Sequence, residues 1–569
     1  MASVASSPRR FTVLFLLAVF LLLARSAFAA DWKPDPSLNL PDQRIKFYKI
    51  ARAYCETHYD ATAGMIQRRM DKPHPHLVLQ SALYAYGLLM TKDPTDRKLA
   101  EDILGRVLAK QDVHKDSATY GSFLPYQEED WATNANEDPN FGQFVGSALA
   151  AVLDQDNRQG HLLSPDLRQK TEEAFRHAVE FTIRRDVAPD YINICILSAQ
   201  VAAAGDKLLH VPGARDFALS KLYWLLARAQ PGTTLTEYLA PTYYGVDIGA
   251  AYGVKYYAGS PEVLAASNRL IDFFWQDVAG SYNAPAFNLG GPQARSYGDN
   301  MLEYAAALKY DLFYALDGKY PISLDTEVGN SWDLAGLFGM ATAQIEPRPE
   351  FQQPTAPWRQ LQVMSRPGMV ASQFRKGSFM LGSITLQSVW QQQRNVVAYW
   401  AITQPSADVG YMLDESSLTF GNGYAHFFAT QNQDAVLVAL TGKMPTPAAG
   451  GLRLVFNSLA GGKTTVADPP GCYEVDDGGI TAYVYPVSAS AAAAMTFRKD
   501  DTAKRAYLER GWDNADHVGN VGVLAYLVTF KLPGESTALD VKNITFTPDD
   551  KGVTVSAAVN GNTLTVQAK

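Results

Sequence analysis

The sequence predicts a protein of two structural parts, an N-terminal (α/α) toroid followed by a C-terminal antiparallel β-sandwich. In the first part, apolar residues recur at helical spacing in about a dozen segments, joined by short connections that contain Pro or Gly. A stretch punctuated by prolines follows, and beyond it short segments alternate polar and apolar residues as strands do. The predicted parts are a signal peptide at 1–30, the toroid at 31–345, a linker at 346–358 and the sandwich at 359–569.

The start of the chain has the pattern of a cleavable secretory signal. Arg9 and Arg10 precede an apolar run over residues 11–24, and Ala27 and Ala29 supply small residues near the expected cut. The run is shorter than a membrane-spanning helix requires. We therefore expect a secreted or periplasmic protein with no membrane association after cleavage.

Net charge and composition exclude several classes of protein. The formal net charge is -8, and loss of the three arginines of the signal peptide takes it to about -11. This charge disfavours nucleic acid as a partner. It leaves room for an anionic polysaccharide, because a cleft can hold a few arginines whatever the total charge. The chain has no phosphate-cradling loop, dinucleotide fingerprint or Gly-x-Ser-x-Gly elbow.

The three cysteines do not indicate a disulfide framework. Cys55, Cys195 and Cys472 are an odd number and are far apart, so neither a disulfide scaffold nor a zinc site is indicated. Cys55 and Cys195 lie in apolar helical surroundings and are expected to be buried. The spacing of His, Asp and Glu indicates no metal site, and no cofactor is predicted.

The helices of the first part are recognised by their apolar faces. In the first of them, Phe47, Ile50, Tyr54 and Cys55 share one face. The predicted helices span residues 41–59, 75–90, 95–111, 140–153, 165–184, 191–204, 212–229, 246–257, 261–278, 298–315 and 331–343. A single bundle rarely holds so many helices. Helix pairs arranged around an axis, a toroid, are therefore expected.

Strands are predicted in the second part from alternation of apolar and polar residues. They span residues 378–388, 395–402, 435–439, 480–487, 521–530 and 553–559. Asn560-Gly561 between two alternating runs is a strong hairpin signal. About 210 residues of this kind favour a sandwich of antiparallel sheets.

Polar residues concentrate between residues 234 and 300, in two loops that bracket the predicted helix 261–278. Pro and Gly break the chain there, and functional residues are enriched in such loops. These loops are expected to converge on one cleft. Their polar residues are Glu237, Tyr243, Tyr244, Asp247, Arg295, Tyr297 and Asn300.

Short segments of the chain resemble polysaccharide lyases of the alginate, heparin and chondroitin lyase type. The segments are PDYINI, TEYLAPTYYGVD, RSYGDN and VWQQQRNVVAYW, and the order of signal, helical toroid and sandwich is also similar. The resemblance implies elimination on a uronic-acid polymer, with glucuronan or alginate as substrate. It also implies a Tyr as base and acid with an Arg nearby, which places Tyr297 and Arg295 in those roles. The alternative is that Tyr297 only begins the next helix and Arg295 is solvated.

Elimination requires a proton to leave the carbon beside a carboxylate, so the site must neutralise that carboxylate. Asn193, near a helix start in an apolar segment, is the candidate neutraliser; a purely structural amide is the alternative. Glu237 is expected to donate to the substrate with a raised pKa, to orient Arg295, or to cap a helix.

Further residues are candidates for substrate binding. Tyr243 and Tyr244 would line a sugar subsite or supply another base, and His74 could contribute a base or belong to a plain loop. Trp131 and Asn140 fit a loop that faces a sugar, or an ordinary Asn-rich loop. Arg394 would bind substrate carboxylates, or lie in a surface turn.

Two other functions compete with a lyase. A glycoside hydrolase on the same toroid would need two carboxylates, and the pool is Glu128, Glu129, Asp130, Asp190, Glu237, Asp247 and Asp299. A carbohydrate-binding protein without catalysis is the third alternative. The sequence indicates no oligomeric state.

Overall fold

The structure is a computed structural model. It describes residues 33–68, 74–133, 138–302, 307–322, 334–390, 392–402, 409–417, 425–442, 451–457, 465–467, 471–477, 480–487, 495–500, 502, 505–511, 517–518, 521–535, 539–549 and 552–569. The predicted signal peptide lies outside these residues.

Contacts divide the chain into two compact units. The first contains the described residues of Met1–Arg185, Ala204–Pro212 and Ile322–Gln344, and the second those of Asp186–Ala203, Gly213–Pro321 and Ile345–Lys569. The predicted order of a helical half and a sheet half is confirmed. The predicted domain boundaries remain predictions; the second unit contains both helices and sheets.

The helices agree with the predicted segments to within a few residues at most ends. They are α1 Asp42–His58, α2 Val78–Leu89, α3 Pro94–Leu108, α4 Phe141–Arg158, α5 Pro165–Arg185, α6 Ile192–Leu209, α7 Ala214–Leu226, α8 Pro241–Tyr256, α9 Pro261–Ser281, α10 Ala307–Ala315 and α11 Leu337–Thr342. Helix α8 begins at Pro241, five residues before its predicted start, because proline is well suited to the first helical position. Tyr243 and Tyr244 therefore lie on a helix and not in a loop.

The first unit is held by apolar helix faces. Tyr48 of α1 meets the ring of Phe338 of α11 at 5.5 Å, edge to face. A buried ion pair joins α1 to α3, since Arg52 Nη2 lies 2.8 Å from Asp96 Oδ1. Burial raises the pKa of the Cys55 thiol, and all three cysteines are buried. The burial expected for Cys55 and Cys195 is confirmed.

Helix α6 is apolar and long enough to cross a membrane. Since 72% of it is buried inside the protein, it has the character of a core helix.

The strands are more numerous than predicted. They are β1 Tyr59–Asp60, β2 Met65–Gln67, β3 His76–Leu77, β4 Thr233–Thr234, β5 Tyr282–Asn283, β6 Asn288–Leu289, β7 Trp358–Val363, β8 Val370–Lys376, β9 Phe379–Ile384, β10 Leu386–Ser388, β11 Val396–Ala401, β12 Val409–Asp414, β13 Ala425–Asn432, β14 Ala435–Gly442, β15 Gly451–Asn457, β16 Thr465–Ala467, β17 Tyr473–Asp476, β18 Thr481–Val487, β19 Thr496–Asp500, β20 Arg505–Gly511, β21 His517–Val518, β22 Val521–Lys531, β23 Val541–Asp549, β24 Gly552–Val559 and β25 Asn562–Ala568. The predicted hairpin at Asn560-Gly561 joins β24 to β25, and both of its residues have the positive φ that such a turn needs.

Two large sheets of the second unit form the predicted sandwich. One has the order β19-β20-β15-β12-β11-β9-β8-β7-β4, and the other has the order β10-β13-β14-β22-β18-β17-β16 with β21 on β22. Phe530 of the second sheet packs against Phe379 and Trp400 of the first, with ring centroids 5.0 and 6.5 Å apart. Tyr526 donates a hydrogen bond across the interior to Asp414 Oδ2 at 2.7 Å.

A third layer, which the sequence did not predict, covers the outer face of the second sheet. The strands β23, β24 and β25 form a small sheet whose Val555 and Leu564 pack on Leu437 of β14 and Leu527 of β22. Alternate residues of β14 thus face this layer and the sandwich interior, so every residue of that strand is buried.

The predicted strand 378–388 is two strands in different sheets. Strand β9 belongs to the first sheet and β10 to the second, and the chain crosses between them at Thr385. There the backbone N–H of Thr385 donates to Val370 of the first sheet, and its carbonyl accepts from Ala429 of the second. This crossing starts the segment 386–394 that reaches the candidate site.

Within the second unit, the helical segments and the first sheet are in direct contact. Strand β4 pairs in parallel with β7, and Gln293 forms an isolated β-bridge with Arg394. At Gly382 of β9 the backbone of Gly291 comes so close that an added Cβ would lie 1.8 Å from its carbonyl oxygen. Only glycine fits at this contact.

We therefore expect Gly382→Ala to destabilise the second unit by about 1–3 kcal/mol, because the strand or the 290–293 loop must move. The midpoint of thermal unfolding, followed by circular dichroism, should fall. Gly249→Ala is the matched control: nothing lies within 4 Å of a Cβ at this position on α8, so the midpoint should hold or rise. Equal midpoints for the two variants would contradict the close contact.

Candidate active site

A cleft of about 940 Å³ opens within the second unit. Its lining comes from the stretch before α6, the loops before α8 and α10, the β7–β8 loop and the segment 386–393. The charged and aromatic residues of the lining are Asp190, Tyr191, Glu237, Arg295, Arg366 and Trp390. The loops that carry Glu237 and Arg295 therefore converge on one cleft, as the sequence predicts.

Arg295 is held in place on several sides. Its Nε donates to Gln392 Oε1 at 3.1 Å and its Nη1 donates to Glu237 Oε1 at 3.2 Å. The guanidinium lies over the ring of Tyr243 at 4.2 Å and near the ring of Trp390 at 4.8 Å. These contacts fix the plane of the guanidinium and leave Nη2 without a hydrogen bond to any residue that the structure describes. An anion in the cleft can therefore take a hydrogen bond from it.

Glu237 is the buried anchor of this arrangement. Asn193 donates its backbone N–H to Glu237 Oε2 at 3.0 Å and its side-chain amide to Oε1 at 2.8 Å. The pKa of Glu237 is raised overall, because burial outweighs the hydrogen bonds from Asn193 and the charge of Arg295, which lower it. A carboxylate that accepts from three donors serves to orient Arg295, one of the roles the sequence left open.

Asn193 thus has a different contact from the one predicted. It is 2% exposed, and its amide nitrogen is directed at Glu237. It lies at the start of α6, as expected, but the amide holds the carboxylate that holds Arg295. Its role is to position those groups.

Tyr297 and Tyr243 form a hydroxyl pair at 2.6 Å between their oxygens. Tyr297 is 53% exposed, while burial, together with the hydrogen bond between the two hydroxyls, raises the pKa of Tyr243. Tyr243 therefore keeps its proton and can donate it in a hydrogen bond to the oxygen of Tyr297. Because its hydroxyl stays protonated, Tyr243 is not available as a base, the alternative role predicted for it.

Alternation along the 293–297 segment places Arg295 and Tyr297 together. The backbone of Ala294 donates to Tyr238, and that of Ser296 donates to Gln392, so the segment runs extended between them. Ser296 is buried. Arg295 and Tyr297 both contact Tyr243, as the two-residue spacing predicts.

Asp247 lies inside the protein. It is fully buried on α8, and neither carboxyl oxygen has a hydrogen-bond partner among the described residues. Burial raises its pKa well above the ordinary value, and the nearby charge of Glu237 raises it further. The carboxyl is therefore held neutral, and Asp247 cannot serve as an exposed catalytic carboxylate.

Tyr244 and Arg394 are buried and lie outside the cleft lining. Tyr244 is fully buried, and its hydroxyl donates to Asp277 Oδ2 at 2.7 Å, because neighbours in a helix face different directions. Arg394 is buried, with Nη2 3.1 Å from Glu415 Oε1, so it is neither a surface turn nor a free cation. Both residues support the fold.

Three predicted substrate-binding residues belong to the first unit. Trp131 Nε1 donates to the Lys110 carbonyl at 3.2 Å, and Asn140 Oδ1 accepts from Arg185 at 2.8 Å. The carbonyl of His74 accepts a hydrogen bond from Gln67. Their roles in binding remain predictions.

Sequence reasoning missed four residues of the site. Trp390 and Gln392 contact Arg295, and Tyr191 and Arg366 line the cleft. The run of Trp, Gln and Arg at 390–394 is an unusual strand end and was a usable signal for the first two. Arg366 lies in a Ser-Arg-Pro-Gly turn that has no distinguishing pattern. Within the described ranges no group of three His, Cys, Asp or Glu residues is placed to hold a metal ion.

Comparison with known families gives one match over half of the chain. The model of the family described as "Domain of unknown function (DUF8769)" matches residues 46–332. The chain belongs to this family. The match includes Asn193, Glu237, Arg295 and Tyr297, so the candidate site of this DUF8769 protein lies largely inside the family region. No curated protein sequence matches the chain.

Comparison with solved structures finds similarity to several chains, three of which follow. Heparinase III is 10% identical, with 92% of this chain and 91% of that chain covered and a TM-score of 0.45. The heparan sulfate lyase HepC from Pedobacter heparinus is 10% identical, with 96% and 94% covered and a TM-score of 0.33. The endoglucanase CelQ from Clostridium thermocellum, complexed with cellotriose, is 10% identical, with 86% and 93% covered and a TM-score of 0.24. All three scores are below 0.5, so these likenesses assign no activity to this chain.

The neutral carboxyl of Asp247 should make the free energy of unfolding depend on pH. Above its ordinary pKa of 3.8, the unfolded chain loses this proton while the folded protein retains it. Stability from this group is complete below that pH and falls by about 1.4 kcal/mol per pH unit as the pH rises toward the folded pKa. Asp247→Asn removes this loss.

We expect the free energy of unfolding of Asp247→Asn to increase relative to wild type from about pH 5 to about pH 7, measured by urea denaturation. Asp216→Asn, at an exposed position on α7, is the control and should show little change in this difference. A difference that is constant with pH would mean that Asp247 is ionised in the folded protein.

Proposed function

We propose that this protein is a polysaccharide lyase that cleaves a uronic-acid polymer by β-elimination, with glucuronan or alginate as the preferred substrate. The observation that carries the proposal is the fixed guanidinium of Arg295, which lines the cleft and lies over the ring of Tyr243, the partner of Tyr297. One cation suited to a carboxylate and one exposed phenol suited to proton transfer are thereby brought together.

In the proposed reaction, Arg295 binds the uronate carboxylate, and the phenolate of Tyr297 takes the proton from the adjacent carbon and becomes a phenol. The electrons of that C–H bond form a carbon–carbon double bond as the bond to the glycosidic oxygen breaks. The departing oxygen takes a proton, which Tyr297 can return. Tyr243, which keeps its own proton, stabilises the phenolate of Tyr297 through their hydrogen bond.

The geometry supports Arg295 as the group that neutralises the substrate carboxylate, in place of Asn193. Glu237 is the counter-ion that fixes Arg295, and Asn193 fixes Glu237. The hydrogen bond that the carboxylate needs comes from the stacked guanidinium, whose Nη2 has no acceptor in the described residues. We further propose that the protein acts after secretion, as its N-terminal sequence predicts.

A glycoside hydrolase is the second candidate function, because two carboxyl groups, Asp190 and Glu237, line the same cleft. Inverting and retaining hydrolases both place such a pair across the scissile bond. Glu237, however, already accepts from Asn193 and Arg295, which occupies the oxygens that acid catalysis would use. The lyase is therefore the better supported function.

The first experiment is ultraviolet absorbance over time with purified protein on glucuronan, alginate, hyaluronan, heparan sulfate and neutral glucans. Elimination creates an unsaturated uronate that absorbs, whereas hydrolysis does not. We expect a rise on glucuronan or alginate and none on the glucans. New reducing ends without absorbance would establish the hydrolase, and neither signal on any polymer would contradict both enzymes.

Tyr297→Phe should lower kcat at least about 100-fold, since it removes the oxygen that moves the proton. Affinity for the polymer, measured by isothermal titration calorimetry, should change little. Tyr223→Phe is the matched control, because Tyr223 is 49% exposed on α7, whereas the ring that joins Arg295 to Tyr297 is that of Tyr243. A Tyr297→Phe variant as active as Tyr223→Phe would remove Tyr297 from the mechanism.

A further inference from the structure

A second arginine lines the cleft, on the loop between β7 and β8. Ser365, Arg366 and Pro367 line the cleft, and none of them is among the residues that hold Arg295. Arg366 is exposed, and no ion pair or hydrogen bond from its guanidinium reaches another part of the described chain. By contrast, Arg295 has Glu237 as its counter-ion.

Hydrogen bonds hold the backbone of the loop that carries Arg366. Arg366 N–H donates to Val363 at 3.2 Å, and the Arg366 carbonyl accepts from Met369 at 3.0 Å and from Gln362 Nε2 at 2.7 Å. Met364 N–H donates to Thr234 of β4 at 2.9 Å, which ties the loop to the helical segments of the same unit. The backbone of Arg366 is thus held in place, and its exposed side chain has no polar partner among the described residues.

The rest of the lining near Arg366 suits a sugar chain. Leu386 is 38% exposed and Trp390 offers an aromatic face, both of which can pack on a pyranose ring. Gln387 and Ser388 supply amide and hydroxyl groups for sugar hydroxyls. The charge of Glu237 is matched by Arg295, and Asp190 is the only other acidic residue of the lining among the described residues.

We infer that Arg366 is a substrate-binding residue that holds the carboxylate of a second uronate, on a sugar of the same chain other than the one bound by Arg295. This inference rests on the proposed function, since it assigns the polymer to the same cleft. Two arginines in one cleft would select a polymer with repeated negative charges over a neutral glucan. A free arginine on a rigid backbone offers a two-pronged hydrogen bond to a carboxylate with little reorganisation.

The test measures binding without turnover, in the Tyr297→Phe protein. Isothermal titration calorimetry with a glucuronan hexasaccharide, an alginate hexasaccharide and cellohexaose compares this protein with the same protein carrying Arg366→Gln. We expect the added change to weaken binding of at least one uronate hexasaccharide about tenfold, the size of one charge-assisted hydrogen bond. Arg366→Lys, which keeps the charge, should lose less, and any binding of cellohexaose should be unchanged.

Arg269→Gln is the matched control for the loss of one positive charge, because Arg269 is exposed on α9 and lies outside the cleft lining. Equal affinities of the Arg366→Gln and Arg269→Gln proteins for both uronate hexasaccharides would overturn the inference. Binding of neither uronate hexasaccharide to the Tyr297→Phe protein would overturn it as well.

The absorbance assay separates this inference from the proposed function. If wild type cleaves a polyuronate but the Arg366→Gln protein binds the uronate hexasaccharides as tightly as the control, the proposed reaction is supported and the proposed role of Arg366 is wrong. If Arg366→Gln weakens binding of a uronate hexasaccharide while wild type produces no absorbance on any polymer, the second uronate site is supported and the proposed elimination is wrong.

Discussion

The interaction on which the candidate site depends is the buried contact between Arg295 and Glu237. A carboxylate that is 8% exposed is costly unless donors surround it, and here Asn193 and Arg295 supply them. The arginine in turn is held by a carboxylate on one side and aromatic rings on the others. Removal of one partner would leave the other as a buried charge without compensation, which commonly costs about 3–5 kcal/mol.

The sheets of the second unit contribute to the site as well as to stability. The chain leaves the first sheet at Thr385, continues as β10 in the second, and returns through the segment that carries Trp390 and Gln392. The bridge between Gln293 and Arg394 then fixes this segment against the loop of Arg295. The position of the guanidinium is therefore set by strands far from it in sequence.

Several site residues were predictable because their cause is local. The spacing of Arg295 and Tyr297 in an extended loop puts both side chains on one side, and both contact Tyr243. One error was also local in origin. Once Pro241 begins a helix, Tyr243 faces the site while its neighbour Tyr244 turns into the core.

By itself the sequence determined the helices, the strand-forming segments and the hairpin at Asn560-Gly561, because apolar spacing and turn residues act over a few positions. The tertiary structure alone decided which polar groups are exposed. Asp247 and Arg394 are as polar in sequence as Arg295, yet one is a neutral carboxyl in the core and the other a buried ion pair. Burial depends on what packs against a residue from distant parts of the chain, and the pKa of a carboxyl and the reach of an arginine follow from that packing.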